Sequence, residues 1–268
     1  MLADPSDQVE GLLERLRGPD AGYMASLVAA AALHRPVLVE TGPVVDAVRP
    51  YSWLLGRIGA EGIALTEAGY LPPQVVTEAV TSLGWAGEWA GAHNREHLTL
   101  PVLELRQSAR RMALVRTHRG VLLRTTAGER LARDPVQLWW HLASRLPDGR
   151  NDAERDAGLV LLLGVASKTP QDTATAGDLL RRGMAALGWH DARSGLPLDE
   201  WQAFEAGRST WECLLRLGAV RLPRDSGPAA APGPAGTALA RAALRLCLTR
   251  PAPAGRGDGA EPRARLSF

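Results

Sequence analysis

A mainly α-helical protein with short β-hairpins, arranged as tandem winged-helix-like units, is the fold class this sequence predicts. Three observations lead there. Apolar residues make up 46% of the chain and recur at helical spacing over most of it, with proline and glycine at the breaks. Residues 99–147 read helix, strand, tight basic turn, strand, helix, which is the order of a winged helix from its third helix onward. Looser copies of that order flank the segment, at LLGRIGAEGIALTEAGYL (54–71) and from WECLLRLG (211–218) to TALARAALRLCL (237–248). Each copy sets an Ala-Gly pair after a strand-like run: Ala68-Gly69, Ala127-Gly128 and Ala235-Gly236. Ala-Gly pairs are common in this chain, so the signal is their context, and their unequal spacing rules out a solenoid period.

Taken in order, residues 8–17 and 20–34 predict two helices, the second ended by Pro36. VVDAVRPYSWLLGRI (44–58) predicts a third, bent or restarted at Pro50. GIAL (62–65) is extended, and Pro72-Pro73 open a helix that Gly84 closes. A Gly/Trp-rich connector spans 84–94. TLPVLELRQSARRMA (99–113) is amphipathic, with Val102, Leu105, Ala109 and Met112 on one face. LVRT (114–117) and VLLRT (121–125) form a hairpin in which Gly120 serves the position that needs positive φ. TAGERLA (126–132) is a short helix, and Asp134-Pro135 cap PVQLWWHLASRL. Residues 148–205 are helical, AVRLP (219–223) is strand-like, and DSGPAAAPGPAG (225–236) is a low-complexity tip. The predicted organisation is an N-terminal unit over 5–90, a central unit over 92–147, a C-terminal unit over 148–249 and a disordered tail over 250–268.

Bulk properties bound the function classes. One lysine, Lys168, stands against thirty arginines, a bias that GC-rich codon usage explains. The net charge of +2 argues for no partner by itself. Cys213 and Cys247 sit in apolar helical patterns outside any C-x-x-C pair and read as reduced core thiols of a cytoplasmic protein. The N-terminus lacks the basic-then-apolar pattern of a signal peptide. The longest apolar runs, ASLVAAAAL (25–33) and GLVLLLGVA (158–166), fall short of the ~20 residues needed to cross a membrane and read as buried helices.

Residues 93–97, HNREH, match the H-x-x-E-H pattern of inverted zinc peptidases. The spacing puts both histidines on one helical face, but Gly91 and Pro101 leave room for barely two turns, and no third ligand is nominated. Asn94 capping a short polar turn, with Glu96 near its positive end, accounts for the stretch without a metal. GVASKT (164–169) has Leu162 and Ser167 where a phosphate loop needs glycine, so it reads as a helix end. Arg256-Gly257-Asp258 is an adhesion tripeptide in letters only. Trp139 and Trp140 could stack bases, but their positions on an apolar helical arc favour packing. No cofactor motif and no nucleophile–base set stands out.

Charge is uneven. Residues 94–146 hold ten arginines and four acids, a local balance of +6. Gln107, Arg110 and Arg111 fall away from the apolar face of their helix, and Arg116, His118, Arg119 and Arg124 decorate the hairpin. That is the layout by which a helix approaches a major groove while a wing touches phosphates. Leu103 shares the outer face with Arg110 and suits a protein neighbour better than DNA.

LTEAGYLPPQVV (65–76), NREHLTLPVLELR (94–106) and LVRTHRGVLLRTTAGERLARDPVQLWWHLASRLP (114–147) resemble an actinobacterial family named after the third open reading frame of an Ri plasmid, some members of which are described as transposon passenger proteins. The resemblance covers about residues 45–147 and extends through AGRSTWECLLRLGAVRLPRD and PAGTALARAAL. Its motif residues here are Asn94, Arg95, Glu96, Thr99, Pro101 and Val102; His93 is not among them. It implies no established activity. Met112-Ala113-Leu114 stands where Gly-Leu is more usual in that family, which asks for a different helix ending, and Arg124 stands where leucine is. The resulting expectation is a non-enzymatic, DNA-associated protein, regulatory or linked to a mobile element. A protein-interaction scaffold is the alternative, and a zinc-dependent hydrolase using HNREH is the remote third.

Overall fold

The computed structural model describes residues 11–87, 94–170, 172–220, 231–248 and the two-residue strand 265–266. It is mainly helical, with one three-stranded antiparallel sheet. Two compact units emerge: one is Glu40–Leu142, and the other combines the described residues up to Val39 with those from Ala143 onward. Residues 63–64 and 121–122, expected in separate units, pair in one sheet.

The second unit is built around a single buried helix. Residues 11–15 are helical, followed by α1 (Ala21–Ala31). Further along the chain, after the helices of the Glu40–Leu142 unit, this unit resumes at α7 (Asp152–Ala166). Every residue of α7 from Ala157 to Ala166 is buried, so the GLVLLLGVA run is core. Helices α8 (Thr173–Ala186), α9 (Glu200–Arg216), α10 (Pro234–Leu248) and α1 all contact it. Glycine permits the close approach: a Cβ on Gly183 would meet Val160 at 2.6 Å. Asp156 is buried here because Arg15 and the Trp189 indole N–H both donate to it, at 2.5 and 3.0 Å. Beyond α7, Lys168 adopts a left-handed φ of 62°, and Thr169 N–H returns to Gly164 O, so GVASKT is a helix end.

Two expectations change in this unit. Ala219 and Val220 lie buried in a bend rather than a strand, while residues 221–230 fall outside the described residues. Arg265–Leu266 forms a strand paired in parallel with β4 (His190–Asp191), where a tail without structure was expected. Cys213 is buried and Cys247 half-buried, with no disulfide between them.

In the Glu40–Leu142 unit, α2 (Thr41–Ile58) runs through Pro50 without restarting. A proline inside a helix costs about 3 kcal/mol. Val44, Val48, Tyr51, Leu54, Leu55 and Ile58 are all buried on the same helix, each contributing about 1.5–3 kcal/mol, and that burial outweighs the cost. Strand β1 (Ile63–Ala64) follows, then α3 (Pro73–Leu83), closed by left-handed Gly84. After a 3₁₀ turn at Glu96–Leu98 comes α4 (Leu100–Arg111). Strands β2 (Val115–His118) and β3 (Val121–Arg124) form the hairpin, and the sheet order is β1-β3-β2. Helices α5 (Thr126–Leu131) and α6 (Pro135–Arg145) complete it. Thr125 caps α5 through the Gly128 N–H, and Asp134 accepts the Gln137 N–H at the start of α6. Trp139 is buried and meets Trp140 edge-on at 4.9 Å, a packing contact. Among the described residues, no helix is long and apolar enough to cross a membrane.

Candidate nucleic-acid interface

Helix α4 and the β2–β3 hairpin carry the charged residues singled out from the sequence. The orientation of α4 follows from its apolar face: Val102, Leu105, Ala109 and Met112 are each 1% exposed. Inside the core, the Tyr51 and Ser108 hydroxyls are hydrogen-bonded at 2.9 Å. Its outward positions are therefore Leu100, Leu103, Gln107 and Arg110, at spacings of three, four and three. That face divides. Leu100 is exposed and Leu103 half-buried in the first half; Gln107 and Arg110 are exposed in the second. Leu98, just before the helix, is 59% exposed.

The hairpin turns through Arg119 and Gly120, with φ of 48° and 75°. Two consecutive positive φ values fit a type I′ turn, which matches the twist of the strands. The sequence reading gave a positive φ to Gly120 alone; Arg119 takes one as well. Arg116, His118 and Arg119 are exposed. Arg110, Arg116 and Arg119 form no ion pair among the described residues.

The other members of the basic set sit differently. Arg124, expected on the wing surface, is turned inward. Its Nε donates to Leu55 O at 2.7 Å, its Nη1 to Glu129 at 2.9 Å, and its side chain is 13% exposed. It closes the end of β3 against α2 and α5, its guanidinium tied to acceptors within the unit. Arg111 is half-buried at the helix end. Arg106 donates to Glu96 at 2.5 Å.

A shallow cleft beside the hairpin is lined by Gly59, Arg116, Arg124, Thr126, Glu129 and Arg130. Arg130 and Thr126 were not singled out from the sequence. Their i,i+4 spacing on α5, next to the hairpin in the chain, is the signal that could have found them.

The HNREH stretch resolves into separate roles. His93 lies outside the described residues, as does Arg256-Gly257-Asp258. Arg95, not Asn94, occupies the position before the 3₁₀ turn, and no side chain caps it. Glu96 is 1% exposed and accepts the Leu71 N–H at 2.7 Å as well as Arg106. His97 is exposed and lies 5.2 Å from the Tyr70 ring. The carboxylate is committed inward while the imidazole meets a phenol at the surface. No group of three or more His, Cys, Asp or Glu side chains among the described residues is placed to hold a metal ion.

No family model, no curated protein and no solved structure matches this chain.

Proposed function

We propose that this chain is a non-enzymatic, duplex-DNA-associated protein, regulatory or mobile-element-linked, whose Glu40–Leu142 unit is a winged helix. The order helix, strand, helix, helix, strand, strand, with the first strand pairing the last, supports that reading. In it, α2, α3 and α4 are the three helices and residues 118–121 a minimal wing. One observation carries the DNA assignment. Gln107, Arg110, Arg116, His118 and Arg119 are all exposed on α4 and the adjoining hairpin, and the arginines lack carboxylate partners among the described residues. Arg119 adds weight, because a non-glycine residue held at positive φ is strained and such strain concentrates at functional positions. The wing arginines contact phosphates, with Arg116 reaching them from the cleft edge, while Gln107 and Arg110 approach bases.

The leucines favour a second reading, a protein-interaction scaffold. In helix-turn-helix readers the N-terminal part of the recognition helix contacts bases. In α4 that part presents Leu100 and Leu103, preceded by Leu98, a surface suited to an apolar protein partner.

Duplex binding measured at two salt concentrations separates the readings. The variant pair is Arg116→Ala with Arg119→Asn, since asparagine preserves the turn while removing the charge. DNA association predicts a steep loss of affinity with salt and a slope reduced by about two in the variant. Absent or salt-insensitive binding sinks the DNA reading and leaves the scaffold.

A further inference from the structure

Three arginines converge on the end of α1. The Arg241 guanidinium Nη2 donates to Ala32 O at 2.8 Å and to Arg35 O at 3.2 Å, and Arg245 Nη1 donates to the same Arg35 O at 2.6 Å. Two cations thus share one carbonyl oxygen. Arg241 and Arg245 fall on one face of α10, a turn apart. The Arg35 side chain adds a third charge: burial, then its nearness and that of Arg245, push the Arg241 guanidinium below its ordinary pKa. Among the described residues no carboxylate pairs with any of the three.

Neighbouring helix ends offset only part of this charge. A helix C-terminus carries roughly half a negative charge, and the ends of α1 and α10 together supply about one, against three cations. Donors are also left over. A guanidinium offers five N–H groups, and Arg241 Nε is buried with no acceptor among the described residues. One turn earlier on the same face, the Thr237 hydroxyl is likewise buried, 7% exposed at the residue, without a hydrogen-bond partner among the described residues. Several other arginines of this unit meet carboxylates: Arg15 with Asp156, Arg182 with Asp20 and Arg181 with Asp178.

We propose that the Arg35–Arg241–Arg245 corner is an oxyanion site that takes the phosphate group of a small phosphorylated ligand. A phosphate dianion neutralises two of the three cations and offers several oxygens to the forked donors, where a carboxylate brings one charge and two oxygens. Arg241 is half-buried, which favours a free phosphate over a rigid duplex backbone. This site is independent of the hairpin and of the DNA reading.

The test uses the full chain and inorganic phosphate as the probe, by thermal unfolding and calorimetry, with chloride and acetate at matched ionic strength. Phosphate is expected to raise Tm saturably, by a few degrees at about a hundredfold excess over Kd, while acetate does not. R35Q/R245Q, which leaves Arg241 in place, is expected to weaken phosphate binding at least about tenfold. The hairpin variant R116A/R119N is expected to bind phosphate normally. No saturable effect on the wild type, or an unchanged Kd in R35Q/R245Q, overturns the proposal. If the double variant does not fold, R35Q alone decides: about a threefold loss supports the site and an unchanged Kd refutes it.

Discussion

Met112–Val115 and Leu217–Val220 end their helices in the same way. After α4, Ala113 is left-handed at φ 57°, its N–H returns to Arg110 O, and Leu114 N–H returns to Ala109 O at 2.9 Å. After α9, Gly218 is left-handed at φ 63°, its N–H returns to Leu215 O, and Ala219 N–H returns to Leu214 O at 2.9 Å. Both are Schellman endings. In both, a glycine from the next helix presses on the carbonyl beyond the turn: a Cβ on Gly128 would lie 2.0 Å from Leu114 O, and one on Gly236 2.7 Å from Ala219 O. The third Ala-Gly pair is of another kind, since Gly69 sits in a turn with nothing within 4 Å of such a Cβ. Two of the three sequence copies therefore share a built corner, and the first does not.

The corners differ in what reinforces them. At the first, the Thr125 hydroxyl donates to Ala113 O at 2.7 Å while accepting the Gly128 N–H. Three residues before Gly236 stands Gly233, which has no hydroxyl to offer. The helices also begin differently. Helix α9 opens with a capping box between Asp199 and Gln202. Helix α4 has no side-chain cap, and the turn before it is anchored by buried Glu96. Similar helix ends thus rest on unlike starts, one local and exposed, the other buried and reaching across the chain.

Glu96→Ala gives the largest expected effect. It strands Arg106 and the Leu71 N–H together and should cost about 4 kcal/mol, whereas Asp199→Ala, which loses only a cap, should cost about 1 kcal/mol. Urea unfolding of the two variants measures the contrast; equal losses would erase the distinction between the starts.

Gly128→Ala comes next, at about 3 kcal/mol, because its methyl meets a backbone oxygen in a corner already tied by Thr125. Gly236→Ala, with more room, should cost about 1–2 kcal/mol. The reverse order in the same unfolding experiment would mean that the second corner is the tighter one.

The smallest effect has the opposite sign. Ala113→Gly makes the first corner match the second and should stabilise by about 1 kcal/mol, while Gly218→Ala should cost a similar amount. An alanine at this position ordinarily disfavours such an ending, because its Cβ crowds the left-handed conformation. Ala113 instead takes the left-handed conformation a glycine would take, held there by the two returning N–H bonds. A Tm that falls in Ala113→Gly would show that the alanine methyl contributes more packing than the backbone strain costs.

What the sequence by itself determined is what lies within a few residues of itself. The α4 core face, the hairpin, the Asp134 cap and the Gly84 stop follow from helical period, strand alternation and hydrogen bonds spanning three or four positions. Tertiary structure alone decided which charges stay available. Arg124 looks like another wing arginine until its acceptor, Leu55 O, arrives from 69 positions away. Glu96 looks like half of a metal motif until Leu71 N–H, 25 positions back, claims it. The pairing of β1 with β3, the unbroken path of α2 through Pro50 and the gathering of Arg35 with Arg241 and Arg245 are of the same kind. The physical reason is common to all. Periodicity reports which side of an element faces inward, but a charge's fate depends on the acceptor it meets there, and chain topology chooses that acceptor.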